Sequence, residues 1–414
     1  MPQHPPGPDE LRRMLSAAAP QPLGRRSFLR GAGLAGLGLA APGLLAACGT
    51  KAAKQTASSC VSKDLSASQK TMHFSNWPLY IDEEKVKRNG KKVTIYPTLE
   101  EFQKQSGIKV DYVTDVNDNN EFFGVVRNQL ADCKPTGRDI MTLTDWMAAR
   151  MVDLGWLQKL DKSKLPNVEA NLRKGLASPS WDKKRDYSVP WQSGLTGIAY
   201  NAKLTKEVRS FDELLTRPDL KGKVSLLSEM HDTMLFMLLL EGAEPEKFTS
   251  EQFSKAIDRL KKSTDAGQIR AFTGNEYAQD LVKGNVVACE AWSGDIIQLQ
   301  FDNPDIKFVV PEEGLALWSD NMLVPNKAAH KSNAEELMNY YYDPVVAAKV
   351  AAWVNYICPV EGAQKAMEKV DSSLVDNELI FPTEDVLSKA RNFMGLDQKT
   401  EQKYQKMFSS VIGA

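Results

Sequence analysis

Five short stretches of this 414-residue chain set a ring beside a carboxylate or another polar group. They are Asn76-Trp77-Pro78-Leu79-Tyr80, Thr144-Asp145-Trp146, Ser228-Glu229-Met230-His231-Asp232, Ala291-Trp292-Ser293-Gly294-Asp295 and Leu317-Trp318-Ser319-Asp320. Aromatic faces attract cations, and carboxylates form charge-assisted hydrogen bonds with ammonium groups. Aromatic walls with acidic ends suit an extended polyamine, its methylenes on rings and its nitrogens on carboxylates. Taken singly, each stretch has a plainer use. Trp77 and Tyr80 fit buried aromatics, Asp145 and Asp232 fit helix caps, and Asp295 fits a turn. Their recurrence at expected strand ends is what favours binding.

Catalysis finds less support. Beyond residue 47 the histidines are His73, His231 and His330, and neither a G-x-S-x-G elbow nor H-E-x-x-H occurs. His73 falls in a strand and reads as a core histidine. The remaining cysteines, Cys60, Cys133, Cys289 and Cys358, form no C-x-x-C pair, so neither a metal nor a cofactor is expected. They allow three disulfide connectivities, and Cys289 and Cys358 also fit buried thiols.

The elements that must position these residues alternate. Residues 72–76, 108–113 and 139–143 read as strands, with helices over 99–105, 122–131 and 146–154. A second block follows. Residues 197–201, 224–227, 286–290 and 306–310 read as strands, 232–240 and 251–266 as helices, and helices dominate from Ala334 onward. This order predicts an α/β architecture with mixed, mostly parallel sheets. In open sheets of this kind, ligands bind beyond the carboxyl ends of strands.

The amino terminus carries an address. Gly31, Gly33 and Gly36 spell G-x-G-x-x-G, yet no strand precedes them and no acid follows at ribose-binding distance. A charged segment with Arg25-Arg26, an apolar run and Leu45-Ala46-Ala47-Cys48 have the layout of an export signal. Arg25-Arg26-Ser27-Phe28-Leu29 resembles a twin-arginine signal. Leu45-Ala46-Ala47-Cys48 resembles a bacterial lipobox that would lipidate Cys48. Residues 1–47 are therefore expected to be removed, and the Ser-, Ala- and Lys-rich residues 48–70 to form a tether. Removal leaves 47 basic against 51 acidic side chains, a net charge of −4. That offers no footprint for nucleic acid.

At the aromatic-acidic stretches the chain resembles the periplasmic spermidine/putrescine-binding proteins of polyamine ABC transporters. The resemblance runs from about Met72 to Pro359. It rests on Phe74-Ser75-Asn76-Trp77-Pro78-Leu79-Tyr80, Leu154 to Leu165, Pro190 to Asn201, Ala291-Trp292-Ser293-Gly294-Asp295, and Asp320 ahead of Pro325. It implies Trp77, Tyr80, Trp146 and Trp292 as stacking residues and Asp232, Asp295 and Asp320 as amine partners. Thr144 and Ser293 would add neutral hydrogen bonds. Leu79 and Met230, where some members carry carboxylates, slightly favour a diamine.

The resemblance also implies two lobes that close on the ligand about a hinge. Crossings near 190 and 295 would give a first lobe of 71–190 with 296–340 and a second of 191–295 with 341–414. The expected protein is exported, lipid-anchored, monomeric and not an enzyme, and delivers its ligand to a membrane permease. The alternatives are the same fold with another cationic or amino-acid-like solute, and a lipid-anchored hydrolase.

Overall fold

The computed structural model describes Cys60, residues 62–116 and residues 118–413. The export signal and Cys48 lie outside the described residues. The strands are β1 (Thr71–Ser75), β2 (Glu84–Arg88), β3 (Lys91–Ile95), β4 (Lys109–Val113), β5 (Ile140–Thr144), β6 (Ser188–Asn201), β7 (Val224–Leu227), β8 (Ile269–Thr273), β9 (Ala288–Trp292), β10 (Ile306–Val309), β11 (Leu315–Leu323) and β12 (Ala390–Arg391). One continuous sheet runs β4-β1-β5-β11-β6-β9-β7-β8, with β10 on β6 and β12 on β11, while β2 and β3 form a separate hairpin.

The sheet has two parallel wings. In the first, β1 pairs with β4 and β5; in the second, β7 pairs with β8 and β9. Helices between the strands make those parallel connections. Their ends follow local rules. Pro97 opens the helix Pro97–Ser106 and Gly107 ends it in the left-handed conformation. Asp118 caps Asn119–Ala131, and a Thr249–Gln252 capping box starts Ser250–Asp265.

The wings join through two long antiparallel strands. β6 pairs with β11 from Ser188–Leu323 to Thr196–Ala316. Beyond that, β11 pairs with β5 of the first wing and β6 with β9 and β10 of the second. Both strands therefore run from one lobe into the other.

Each lobe has its own core. Met72, Phe74, Phe102 and Ile140 of the first pack with Leu337, Val350, Val354 and Phe381. Ile198, Phe211, Phe236 and Phe253 of the second pack with Tyr404 and Phe408. This moves the expected boundaries. Residues 341–381 belong to the first lobe's core, not the second's. Ile296, Leu299 and Ile306 pack with Ala199, Leu227 and Tyr277, so this segment lies with the second lobe. The second crossing is β11 rather than a point near 295, and the chain returns once more between Phe381 and β12. The C-terminal helix Gln398–Ile412 does cover the second lobe, through Tyr404 and Phe408.

Residues 62–70, expected within the tether, are docked on the first lobe. Leu65 N donates to Ala329 O at 2.7 Å, Lys327 N to Ser62 Oγ at 2.6 Å and Asn333 N to Ser66 Oγ at 3.1 Å. A disulfide joins Cys60 to Cys133, while Cys289 and Cys358 are buried thiols. His73 is exposed rather than in the core and sits 2.9 Å from Asp111 on the neighbouring strand. Among the described residues no helix is long and apolar enough to cross a membrane.

Candidate functional site

The carboxyl ends of β1, β5, β7 and β9 meet the crossing strands between the two cores, and the aromatic-acidic stretches sit there. β5 ends at Thr144 and β9 at Trp292, each running directly into a helix. These strand-to-helix turns put short polar side chains where the wings face one another.

Asp320 anchors one end. The Tyr80 hydroxyl donates to its Oδ2 at 2.8 Å and the Thr144 hydroxyl to its Oδ1 at 2.7 Å. Asn119 fixes Thr144, donating from Nδ2 to Oγ1 at 2.9 Å and accepting from Thr144 N at 3.1 Å. The register of β6 against β11 shifts between Asp320 and Asn321. Such an irregularity re-aims neighbouring side chains. Asp320 turns to Tyr80 and Thr144, whereas Asn321 donates to Asp145 at 2.8 Å and accepts from Arg185 at 2.8 Å. Asp145 thus braces the crossing strand instead of capping its own helix. Burial pushes the Asp320 carboxyl up to about 7, against the two hydroxyl donors.

Asp295 anchors the other end. Tyr277 donates to it at 2.7 Å and Tyr356 at 3.0 Å. Burial raises this carboxyl as well, and the two phenols oppose the rise. Tyr356 follows Asn355, whose left-handed backbone ends the helix Pro344–Val354. The chain is pinned there by reciprocal bonds between Ser193 and Ile357 at 3.0 and 2.7 Å. A Cβ on Gly294 would come within 2.6 Å of the Tyr356 ring, so this position needs glycine for the phenol to reach Asp295. Gly194 does the same for Trp318, whose ring would lie 2.2 Å from an added Cβ.

Asp232 is the third acid. Thr196 Oγ1 donates to it, and Trp318 Nε1 donates to Thr196 at 3.1 Å. Burial pushes Asp232 up to about 7; Glu229 adds to this, while Thr196, His231 and Trp292 hold against it. It lies within the first turn of the helix Met230–Leu240 and is not its cap, which is Glu229. Behind it, buried Glu290 accepts from Leu227 N at 2.9 Å and from Thr233 at 2.7 Å, tying β7 and β9 to that helix.

Aromatic rings bridge the two ends. Tyr80 and Tyr356 meet edge to face at 5.7 Å, as do Trp318 and Tyr356 at 5.5 Å. Trp292 packs edge to face on Tyr277 at 6.0 Å. The structure thus joins Tyr80, Thr144 and Asp320 directly, and Trp292 to Asp295 through Tyr277. It does not bring all nine expected residues together. Trp77 lies between two core clusters with its buried indole N–H unpaired. Ser293 Oγ accepts from Leu195 N at 3.2 Å. Trp146 stacks on His231.

Sequence reading missed Tyr277, Tyr356, Thr196 and Asn119. Thr196 stood in Pro190 to Asn201 and Tyr356 just before Pro359, both inside the stretch of resemblance; Tyr277 carried no local signal. The arrangement gathers carboxylates held by hydroxyl donors and flanked by rings, which is chemistry for holding cations. Among the described residues no group of three or more His, Cys, Asp or Glu could hold a metal ion.

A model of the family described as bacterial extracellular solute-binding protein matches residues 98–377. The putrescine-binding periplasmic protein PotF of Escherichia coli is 28% identical over 368 residues, covering 84% of this chain and 92% of its own. Spermidine/putrescine-binding periplasmic protein 1 of Haemophilus influenzae is 26% identical over 345 residues, covering 83% and 88%. The solved structure of the spermidine/putrescine ABC transporter substrate-binding protein PotD from Streptococcus pneumoniae shares the fold, with a TM-score of 0.68 and 24% identity, over 83% of this chain and 98% of that one.

Proposed function

Since the chain belongs to the bacterial extracellular solute-binding proteins, we propose that it captures a polyamine between its lobes and delivers it to the permease of an ABC transporter. The observation that carries this is the pair Asp295 and Asp320. Each carboxylate is held by two hydroxyls, and Tyr80 and Tyr356 link the two ends. Asp295 and Asp320 take the terminal ammonium groups. Tyr80, Tyr356 and Trp292 line the methylene chain. The phenols that donate to the carboxylates release them to an incoming ammonium, a stronger partner. No bond is made or broken. The names of the 26–28% identical relatives support the same ligand class.

The amino-terminal pattern supports export through a twin-arginine signal and lipidation of Cys48 at the outer face of the cytoplasmic membrane, the folded part acting as a monomer. Cys48→Ser should release the exported protein from the membrane fraction.

The experiment is isothermal titration of the exported chain with putrescine, cadaverine, spermidine, spermine and a set of amino acids. One-to-one binding of a polyamine supports the reading. Silence across the polyamines with binding of another solute would transfer the acidic-aromatic site to that solute.

A further inference from the structure

Trp146, expected to face ligand, is already covered. Its indole stacks on the His231 imidazole, ring centroids 4.5 Å apart and planes 18° apart. Trp146 comes from the first lobe, two residues beyond the threonine that holds Asp320. His231 comes from the second, next to Asp232. The pair therefore spans the two lobes at one margin of the acidic row.

His231 is buried in acidic surroundings. Its Nδ1 lies 3.5 Å from Glu229 and its Nε2 3.3 Å from Glu401 of the C-terminal helix, and Phe393 packs edge-on at 4.8 Å. Neither nitrogen makes a well-aligned hydrogen bond, so these contacts act through charge. Burial pulls the imidazole down, but Glu401 and Glu229 outweigh it and hold it up to about 10. Asp232 on the same helix feels that charge, and Arg150, on the helix of Trp146, faces Glu401.

We propose that His231, stacked on Trp146, is a built-in cation that limits the ligand to two ammonium groups, because it occupies the aromatic face and the acidic surroundings a third would need. This rests on the polyamine reading above. The charges divide accordingly. The imidazolium offsets Asp232 from within, and Asp295 and Asp320 remain for the two ends of a diamine. A longer triamine that ran past Asp320 would bring an ammonium against a fixed positive ring. His231 thus excludes by repulsion, where the two outer carboxylates select by attraction.

The test is titration of the exported chain with putrescine and with spermidine, between about pH 6 and about pH 9, where an unperturbed imidazole changes charge. Wild-type protein should prefer putrescine by about tenfold or more, since a repulsive element sets specificity as a difference of affinities. Ratios are compared between wild type and variant at the same pH, so that titration of Asp232, Asp320 and the ligand amines is common to both. His231→Gln should shift the ratio toward spermidine by about tenfold. Glu401→Gln keeps the ring but weakens its hold on the proton, so spermidine should gain on putrescine as pH rises. A wild-type preference for spermidine overturns the proposal, as does an unchanged ratio in His231→Gln with both amines still bound. Equal loss of both amines in that variant shows a merely structural stack and also overturns it. Wild-type protein that binds neither amine overturns the polyamine reading itself, and this proposal with it.

Discussion

The Tyr80 hydroxyl donates to Asp320 at 2.8 Å across 240 residues of chain, and the same carboxylate accepts from Thr144 at 2.7 Å. One acidic group thus gathers β1's trailing loop, the end of β5 and the crossing strand β11. Asp320→Asn should weaken amine binding by about 100-fold or more, because an ammonium left buried without its counter-charge costs about 3 kcal/mol or more. Tyr80→Phe removes one neutral donor and should cost about tenfold. Titration calorimetry compares the two, and equal losses would contradict the assigned roles.

Gly294→Ala should separate fold from binding. The added methyl would meet the Tyr356 ring at 2.6 Å and push the phenol from Asp295. Overpacking of this kind costs about 1–3 kcal/mol. Amine affinity should fall by about tenfold while the circular dichroism spectrum stays native.

Binding should depend on pH with a defined sign. Burial raises Asp232 and Asp320 from 3.8 to about 7 in the folded protein. A raised carboxyl is most compatible with that state when protonated. Its contribution to stability is complete below 3.8 and is lost as pH rises through about 7. A bound ammonium favours the ionised form and reverses the trend. Amine affinity should therefore weaken as pH falls below about 7, by up to about tenfold per pH unit for each protonated carboxyl. Titrations at about pH 6 in buffers of different ionisation enthalpy should show proton release. Affinity that strengthened in acid would contradict the carboxylate roles.

The cysteines divide into two classes. Cys60–Cys133 closes a loop over a separation of 73 residues. Cross-linking a loop of that length is worth about 4 kcal/mol in the chain-entropy account. Cys60→Ser should lower the melting temperature and leave amine affinity unchanged, since neither cysteine touches the site. Cys289 and Cys358 are fully buried and burial pushes both thiols up, Cys358 to about 11. They should resist alkylation until the chain unfolds.

Much of this was legible in sequence. Alternation at 108–113 and the apolar run at 139–143 marked real strands, and the helix Pro97–Ser106 showed its Gly107 stop. The crossing strands were harder. β6 was legible only over its last five residues, 197–201, because Pro190 and Gly194 break the pattern before them. Gly194 is there to admit the Trp318 ring, not to turn the chain. β11 carries Trp318, Ser319, Asp320 and Asn321 at its centre, where the site places polar groups on a buried strand. Residues chosen for function masked the period that would have announced the strand. Tyr277 and Tyr356 escaped because an isolated tyrosine has no spacing to read; only folding brings both phenols onto Asp295. His231 was in plain view, but its stack on Trp146 depends on two lobes meeting.

The docking of residues 62–70 alters how the protein hangs from its membrane. With Cys48 lipidated as proposed, the described chain begins at Cys60, which the disulfide moors beside the helix Asn119–Ala131. The two cysteines stand twelve positions apart. Even drawn straight the chain between them reaches about 43 Å. Under that proposal the attachment point is one corner of the first lobe, and the search for the permease is confined to about that radius around the anchor.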